Sequence, residues 1–189
     1  MDQSPASVTS RETFELCTEL MQLIRSLDQP VIAKVQGLAT AAGCQLVAAC
    51  DLAIASERAR FATPGVKIGL FCTTPGVALA RAIPRKKAME MLLTGQEIDA
   101  SEALQYGLVN KVVPHDKLEQ ETMDMARMIA SASLETIALG KKAFYRQSEM
   151  ETGGAYDFAC EVMIDNVSKE DCREGIDAFV SKRKPEWKH

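Results

Sequence analysis

Residues 31–56, VIAKVQGLATAAGCQLVAACDLAIAS, decide the fold, because two short apolar runs flank a helical one. VIAKV at 31–35 and LAIAS at 52–56 are apolar and bounded by turn residues, a pattern that predicts buried strands. Between them, a loop of small residues leads into an apolar helix predicted over about 41–50. A strand, a helix and a second strand in this order predict a parallel pair with a right-handed crossover.

The pattern continues in both directions from this stretch. Upstream, Thr9 and Glu12 form a capping-box pattern, and apolar residues at helical spacing predict an amphipathic helix ending near Leu27. Downstream, RFATPGV at 60–66 predicts a short third strand ending in a Pro-Gly turn, and LVNKVV at 108–113 predicts one late strand. Further helices are predicted over about 75–83, 85–93, 100–106, 116–132, 133–148, 153–168 and 170–182.

The composition predicts one soluble globular domain, since 47% of the 189 residues are apolar and 25% are charged. A net charge of −4 without a broad basic stripe argues against a nucleic-acid partner. Six cysteines without a C-x-x-C pair favour a reducing compartment. The first residues resemble neither a signal nor a transit peptide, and no apolar run reaches membrane-spanning length. We therefore expect an intracellular protein that does not insert into membranes.

The start of the central helix is the first candidate site. Ala41, Ala42 and Gly43 leave backbone N–H groups at the positive end of the helix, with no bulky side chain to obstruct a ligand. An oxyanion or a phosphate suits such a place, although small residues here also serve strand–helix packing. The basic runs RKK at 85–87 and SKRKPEWKH at 181–189 are open to two interpretations, solvated surface or a site for an anionic ligand.

The motifs together are specific to one family. The segment from QPVIAKVQG through CQLVAACD to FATPGV, followed by AMEMLLTGQEIDASEALQYGLVNKVVP and REGIDAFVSKRKPEW, strongly resembles the crotonase family, the enoyl-CoA hydratases and isomerases. The resemblance covers the chain from about Ser10 onward. It implies an α/β fold, a crotonase-like spiral of β-β-α units, here N-terminally incomplete, followed by C-terminal helices. On this basis we predict a partial spiral core over 1–114 and a helical oligomerisation region over 115–189.

The resemblance also assigns roles by position. In the family two backbone N–H groups hold the thioester oxygen of an acyl-CoA, and Ala42, beside Gly43, corresponds to one of these donors. The second donor comes from an N-terminal loop that has no counterpart in this sequence. Phe179 and Lys182 correspond to an aromatic residue and a lysine that contact the adenine end of CoA bound to a neighbouring subunit; a buried Phe179 and a solvated Lys182 are the alternative.

The family's two catalytic carboxylates are both replaced in this sequence. Hydration of a 2-enoyl thioester needs two proton-transferring groups, and the family's two glutamates correspond to Gln45 and Gly65. Glutamine can orient water or a thioester but cannot act as a base near neutral pH, and glycine supplies no side chain. Each lost group typically lowers the rate by about 10²–10⁴-fold, so we expect hydratase activity to be very low.

Other residues are not expected to replace the carboxylates. Asp51 is expected to have a structural role, and Cys72 is expected to be a small buried thiol without a helpful base. His115 and His189 have no partners at metal-ligand spacing, so no metal site is predicted. No cofactor is expected, with coenzyme A entering only as part of the substrate.

Two functions remain open from the sequence. The first is an acyl-CoA-binding family member, linked to fatty acid metabolism, with lost or much reduced hydratase activity; a decarboxylation would need the least proton machinery. The second is a non-catalytic assembly protein that associates through its C-terminal helices, which carry more apolar residues than one stripe per helix requires. The resemblance implies a homotrimer or hexamer and a mitochondrial location, with the cytoplasm as the alternative.

Overall fold

The computed structural model describes residues 5–188, with side chains from residue 9 onward. The strands are β1 (Ile32–Val35), β2 (Leu38–Thr40), β3 (Leu52–Ser56), β4 (Arg60–Ala62), β5 (Ile98–Asp99) and β6 (Lys111–Val113). The helices are α1 (Pro5–Ser26), α2 (Ala42–Ala49), α3 (Thr73–Ala82), α4 (Arg85–Thr94), α5 (Ala100–Gln105), α6 (Leu118–Ala130), α7 (Leu134–Gln147), α8 (Thr152–Ser168) and α9 (Glu170–Val180). Short 3₁₀ turns occupy Pro64–Ile68 and His115–Lys117.

The described strands form two small sheets. β1, β3 and β6 form a parallel sheet with β3 in the centre, so the predicted parallel pair around the central helix is confirmed. In the second sheet β2 pairs with β4 in parallel, and β5 pairs with β4 in the antiparallel sense. β2 and β5 are not predicted from the sequence. β2 has three residues and β5 has two, and segments this short show no alternation of apolar and polar residues that would identify a strand.

Three element boundaries also differ from the sequence prediction. Helix α1 begins at Pro5, so the Thr9–Glu12 pattern lies inside the helix, and the Thr13 hydroxyl donates back to the Thr9 carbonyl at 2.9 Å. The predicted third strand ends at Ala62, because Pro64 begins a 3₁₀ turn that an extended strand cannot contain. The late strand is shorter than predicted and begins at Lys111.

The first compact unit contains the described residues 5–25 and 31–124. Its core is built on side chains withdrawn from solvent, among them Ile54, Phe61, Leu79 and Met91. Asp51 closes the β1–α2–β3 unit, because its carboxylate accepts a hydrogen bond from the Val31 N–H at 2.7 Å. This contact agrees with the structural role that the sequence predicts for Asp51.

Helix α1 packs against α2 through a second, smaller hydrophobic cluster in the same unit. Met21 and Ile24 are buried against Ala49, and Cys17 and Val31 are partly buried beside them. The contact places one face of α1 next to the helix whose start is the candidate site.

The second compact unit contains residues 26–30 and the described residues from 125 to 188. It consists of α7, α8, α9 and the end of α6, followed by a C-terminal strap, residues 183–188. The Trp187 indole donates to the Ser131 carbonyl at 2.8 Å, and the Lys188 N–H donates to Asp171 at 2.9 Å. Glu174 accepts from both the Arg183 guanidinium and the Glu186 N–H, each at 2.8 Å. The strap is thereby fixed along α9.

Candidate active site

The candidate site lies where two parallel strands end side by side. Thr40 at the end of β2 is paired with Ala62 at the end of β4, and the Ala41 N–H donates to the Ala62 carbonyl at 2.9 Å. The chain from β2 turns into α2, and the chain from β4 turns into the 3₁₀ segment that contains Gly65. In parallel sheets the carboxyl ends of strands are the usual place for ligands.

The start of α2 is held in an unusual backbone conformation. Ala41 has φ 49° and ψ −114°, in the left-handed half of conformational space that favours glycine. No side chain caps the helix. The Gln45 N–H is the first to reach a helical acceptor, the Ala41 carbonyl at 3.0 Å, so the N–H groups of Ala42 and Gly43 precede the intrahelical ladder.

The same turn is open to an approaching ligand. Ala42 is exposed and Gly43 is half-buried, and apart from adjacent residues and the backbone of α2, no described atom lies within 4 Å of a Cβ built on Gly43. Two backbone donors at the positive end of a helix therefore belong to an accessible turn, and such donors suit a carbonyl oxygen or an enolate.

Gln45 is buried beside this turn, with 5% of its surface exposed. Its Oε1 accepts a hydrogen bond from the Cys17 thiol on α1 at 3.7 Å, a length suited to sulfur. An uncharged amide fixed in this way orients a ligand by hydrogen bonding but does not take up a proton near neutral pH.

Gly65 is buried in a turn that closes around it. Its N–H donates to the Cys72 Sγ at 3.3 Å, and its carbonyl accepts from the Leu70 N–H at 3.0 Å. A Cβ at this position would lie 2.1 Å from the Leu70 carbonyl oxygen and 2.8 Å from the Cys72 Sγ. The main chain of residue 70 thus occupies the space that any side chain at residue 65 would need.

The neighbouring thiols offer no activated nucleophile. Burial raises the pKa of the Cys44 thiol to about 12, against the smaller opposing effect of a backbone hydrogen bond with Ala62. Cys72 is buried, as predicted from the sequence, and its sulfur serves as the acceptor for Gly65. Neither thiol therefore has the surroundings that activate a cysteine as a nucleophile.

The histidine that the structure describes contacts a buried serine. His115 Nδ1 lies 3.2 Å from the Ser56 hydroxyl, which also accepts from the Arg58 N–H at 3.2 Å. The prediction for His189 lies outside the described residues. Among residues 5–188, no group of three His, Cys, Asp or Glu side chains is placed to hold a metal ion. No helix in this range has the length and apolarity required to cross a bilayer.

Phe179 and Lys182 lie in the second unit, at the end of α9. The Phe179 side chain is 85% exposed, which excludes the alternative in which it belongs to the core of the chain. Lys182 is exposed at a left-handed turn with φ 53°, where its N–H donates to the Phe179 carbonyl at 3.2 Å. An apolar ring and a cation are therefore presented on one turn.

Two contributors to the site are missed by sequence reasoning. Cys17 is 28 residues from Gln45, and its helical pattern identifies it only as one apolar position among several. The Leu70 carbonyl is a backbone group, so its side chain carries no signal of the contact with Gly65.

Comparison with known proteins identifies the relatives of the chain. A family model described as enoyl-CoA hydratase/isomerase matches residues 4–189. The mouse protein named enoyl-CoA hydratase domain-containing protein 3, mitochondrial, is 56% identical over 178 residues, which cover 94% of this chain and 59% of that protein. A probable enoyl-CoA hydratase of Rhizobium meliloti is 40% identical, covering 85% of this chain and 63% of that protein. The chain spans about three fifths of the length of these relatives.

Solved structures agree with the sequence comparison. The crystal structure of human enoyl-CoA hydratase domain-containing protein 3 superposes with a TM-score of 0.95 at 54% identity, covering 98% of this chain and 74% of that one. An enoyl-CoA hydratase from Mycobacterium smegmatis gives a TM-score of 0.94 at 46% identity, covering 100% of this chain and 74% of that one. The predicted crotonase-like fold is confirmed. With both the family model and these relatives matching nearly its whole length, the chain belongs to the enoyl-CoA hydratase/isomerase family.

Proposed function

We propose that this protein binds an acyl-CoA thioester at the start of α2 and hydrates 2-enoyl-CoA slowly or not at all. The observation that carries the proposal is the turn around Gly65, where a main-chain carbonyl would stand 2.1 Å from a Cβ. A carboxylate cannot be accommodated at this position without movement of the turn. The first carboxylate of the family is replaced by the Gln45 amide, so neither proton-transferring group of a hydratase is present.

The remaining groups suit binding and charge stabilisation. The N–H groups of Ala42 and Gly43 donate to the thioester oxygen, and the helix dipole favours negative charge on that oxygen. A reaction that forms an enolate without a protein base, such as decarboxylation of an acyl-CoA, is the turnover that this set of groups could support. Gln45 then orients the substrate or a water molecule.

The adenine end of an acyl-CoA bound to a neighbouring subunit is assigned to the C-terminal region. Phe179 offers a ring for stacking on adenine and Lys182 offers a cation for a phosphate group, in the manner expected from the family. Coenzyme A enters as part of the substrate, and no separate cofactor or metal is proposed. Because relatives are named mitochondrial, we propose a mitochondrial location. The family resemblance leads us to propose a role in fatty acid metabolism.

Two measurements test this proposal on the purified protein. Titration calorimetry with butyryl-CoA, which cannot be hydrated, should give saturable binding. Incubation with crotonyl-CoA, followed by loss of its conjugated absorbance, should give a rate several orders of magnitude below that of an active family hydratase assayed in parallel. Rapid hydration would refute the roles given to Gln45 and Gly65, and absence of butyryl-CoA binding would refute acyl-CoA recognition.

A second candidate function is assembly through helix α8. Tyr156, Met163 and Val167 lie at spacings of seven and four residues, so they share one face of the helix, and Tyr156 is 76% exposed. Such a stripe suits contact with another copy of the chain, in a homotrimer or hexamer. Light scattering should give a trimer or hexamer mass that falls on Met163→Glu, with Asp157→Glu as the control; a monodisperse wild-type monomer would contradict assembly.

A further inference from the structure

The Gln45 amide is held at one end. Its Oε1 accepts from the Cys17 thiol, while its backbone N–H is bound to the Ala41 carbonyl. No described protein group accepts a hydrogen bond from Nε2, and Nε2 is not among the fully enclosed atoms without a partner. The two Nε2 hydrogens are therefore available to solvent or to a ligand.

The position of Gln45 on α2 gives this free end a direction. Gln45 is the fourth residue of the helix, and side chains on a helix lean toward its N-terminus. On this geometry we expect the amide to lean toward the first turn, which carries the N–H groups of Ala42 and Gly43. If the Gln45 amide were rotated by half a turn, Oε1 and Nε2 would exchange places. The oxygen facing the start of α2 would then repel a negatively charged ligand.

We propose that Cys17 is a positioning residue, which donates its thiol hydrogen to Gln45 Oε1 and so turns Nε2 toward the start of α2. This inference rests on the proposed function and defines the chemistry of its site. The first turn of α2 then presents donors only, from two backbone N–H groups and one amide. The ligand group it selects is an acceptor oxygen, above all an enolate, in preference to a hydroxyl or amide that must donate.

The surroundings of Cys17 explain how a weak thiol hydrogen bond can set the amide. Cys17 packs in the cluster formed by Met21, Ile24 and Ala49, which anchors α1 against α2. The thiol is part of an ordered helix face, so little additional entropy is lost when it contacts Gln45. Thiols are weak donors, and a serine hydroxyl is the natural replacement that preserves the donor.

The first test uses ligand-free protein and does not depend on acyl-CoA binding. Glutamine side chains are labelled with ¹⁵N, and the Gln45 NH₂ resonances are assigned with Gln45→Ala. We expect these resonances to be ordered in the wild type, in Cys17→Ser and in the control Cys160→Ala, and averaged toward free amide in Cys17→Ala. Unchanged Gln45 order in Cys17→Ala would overturn the proposal, as would a Cys17→Ser variant that matches Cys17→Ala.

The second test measures ligand selection with acetoacetyl-CoA, whose enolate absorbs in the near ultraviolet, and with butyryl-CoA. Loss of one oriented donor should weaken enolate binding by roughly three- to tenfold in Cys17→Ala, with a smaller effect on butyryl-CoA. Cys17→Ser should stay within about twofold of the wild type, since it restores the donor. Equal weakening of both ligands would refute the selective role, and urea midpoints would verify that both variants are folded. If the wild type binds neither thioester, the proposed function fails, and the NMR result still decides the role of Cys17.

Discussion

Replacement of Gly65 by alanine is expected to destabilise the protein, although it adds a single methyl group. The new Cβ would lie 2.1 Å from the Leu70 carbonyl oxygen and 2.8 Å from the Cys72 Sγ. The nearer contact is with backbone, so the turn must open by more than an ångström before ordinary packing distance is restored. Overpacking of this kind typically costs about 1–3 kcal/mol. Loss of the hydrogen bond from the Leu70 N–H adds about 1 kcal/mol, which brings the expected loss to about 2–4 kcal/mol.

Urea denaturation followed by circular dichroism measures this loss. The matched control is Gly37→Ala in the same compact unit, because no described atom lies within 4 Å of a Cβ at Gly37 and its backbone is not in the left-handed region. The control should change the free energy of unfolding by less than about 1 kcal/mol. A Gly65→Ala variant as stable as Gly37→Ala would show that the turn around residue 65 does not exclude side chains, and the case against a carboxylate there would collapse.

Three further substitutions test other parts of the structure. Ala41→Gly should raise the free energy of unfolding by about 1 kcal/mol in thermal or urea denaturation, because it relieves a strained alanine; a lower value would contradict the strain. Asp51→Ala should lower it by about 1–3 kcal/mol, because the Val31 N–H loses a charged acceptor, and an unchanged urea midpoint would refute this. The hydrogen bonds that Glu174 accepts, first from Arg183, lower its pKa from 4.5 to about 2. Because the pKa of Glu174 is lower in the folded state, its contribution to the free energy of unfolding is fully present above about pH 4.5 and is lost as pH falls toward 2. Glu174→Gln should remove this contribution to the acid dependence of stability. Parallel plots of unfolding free energy against pH for the wild type and the variant would refute the prediction.

The sequence predicts best the strands and helices whose apolar patterns are long or are flanked by turn residues. The β1–α2–β3 unit is confirmed because apolar runs, small residues and a terminal aspartate all indicate the same arrangement. Helix α1 is found, but its start is misplaced, because the helix begins at Pro5, a residue favoured at the first helical position, and the capping pattern at Thr9 does not mark its start. β2 is missed because LAT offers no alternation, and its extended form depends on pairing with β4.

The candidate site is predictable in its residue types but not in its tertiary contacts. The replacement of two carboxylates by Gln45 and Gly65 is visible in the sequence, as is the open start of α2. The approach of the Leu70 carbonyl to Gly65 depends on how a turn of exposed apolar residues folds back, which no local pattern specifies. The Cys17–Gln45 contact joins two helices whose packing is decided by the whole unit.

The closed turn at residue 65 also bears on how the chain could change by mutation. A substitution of glycine by glutamate at residue 65 would place the new side chain against the Leu70 carbonyl. The loss of stability would therefore appear before any gain in catalysis. A route that avoids this penalty would include a change in residues 66–72 that moves the Leu70 carbonyl. The order of substitutions is therefore constrained, and two-glutamate catalysis is separated from this sequence by an epistatic barrier rather than by two independent replacements.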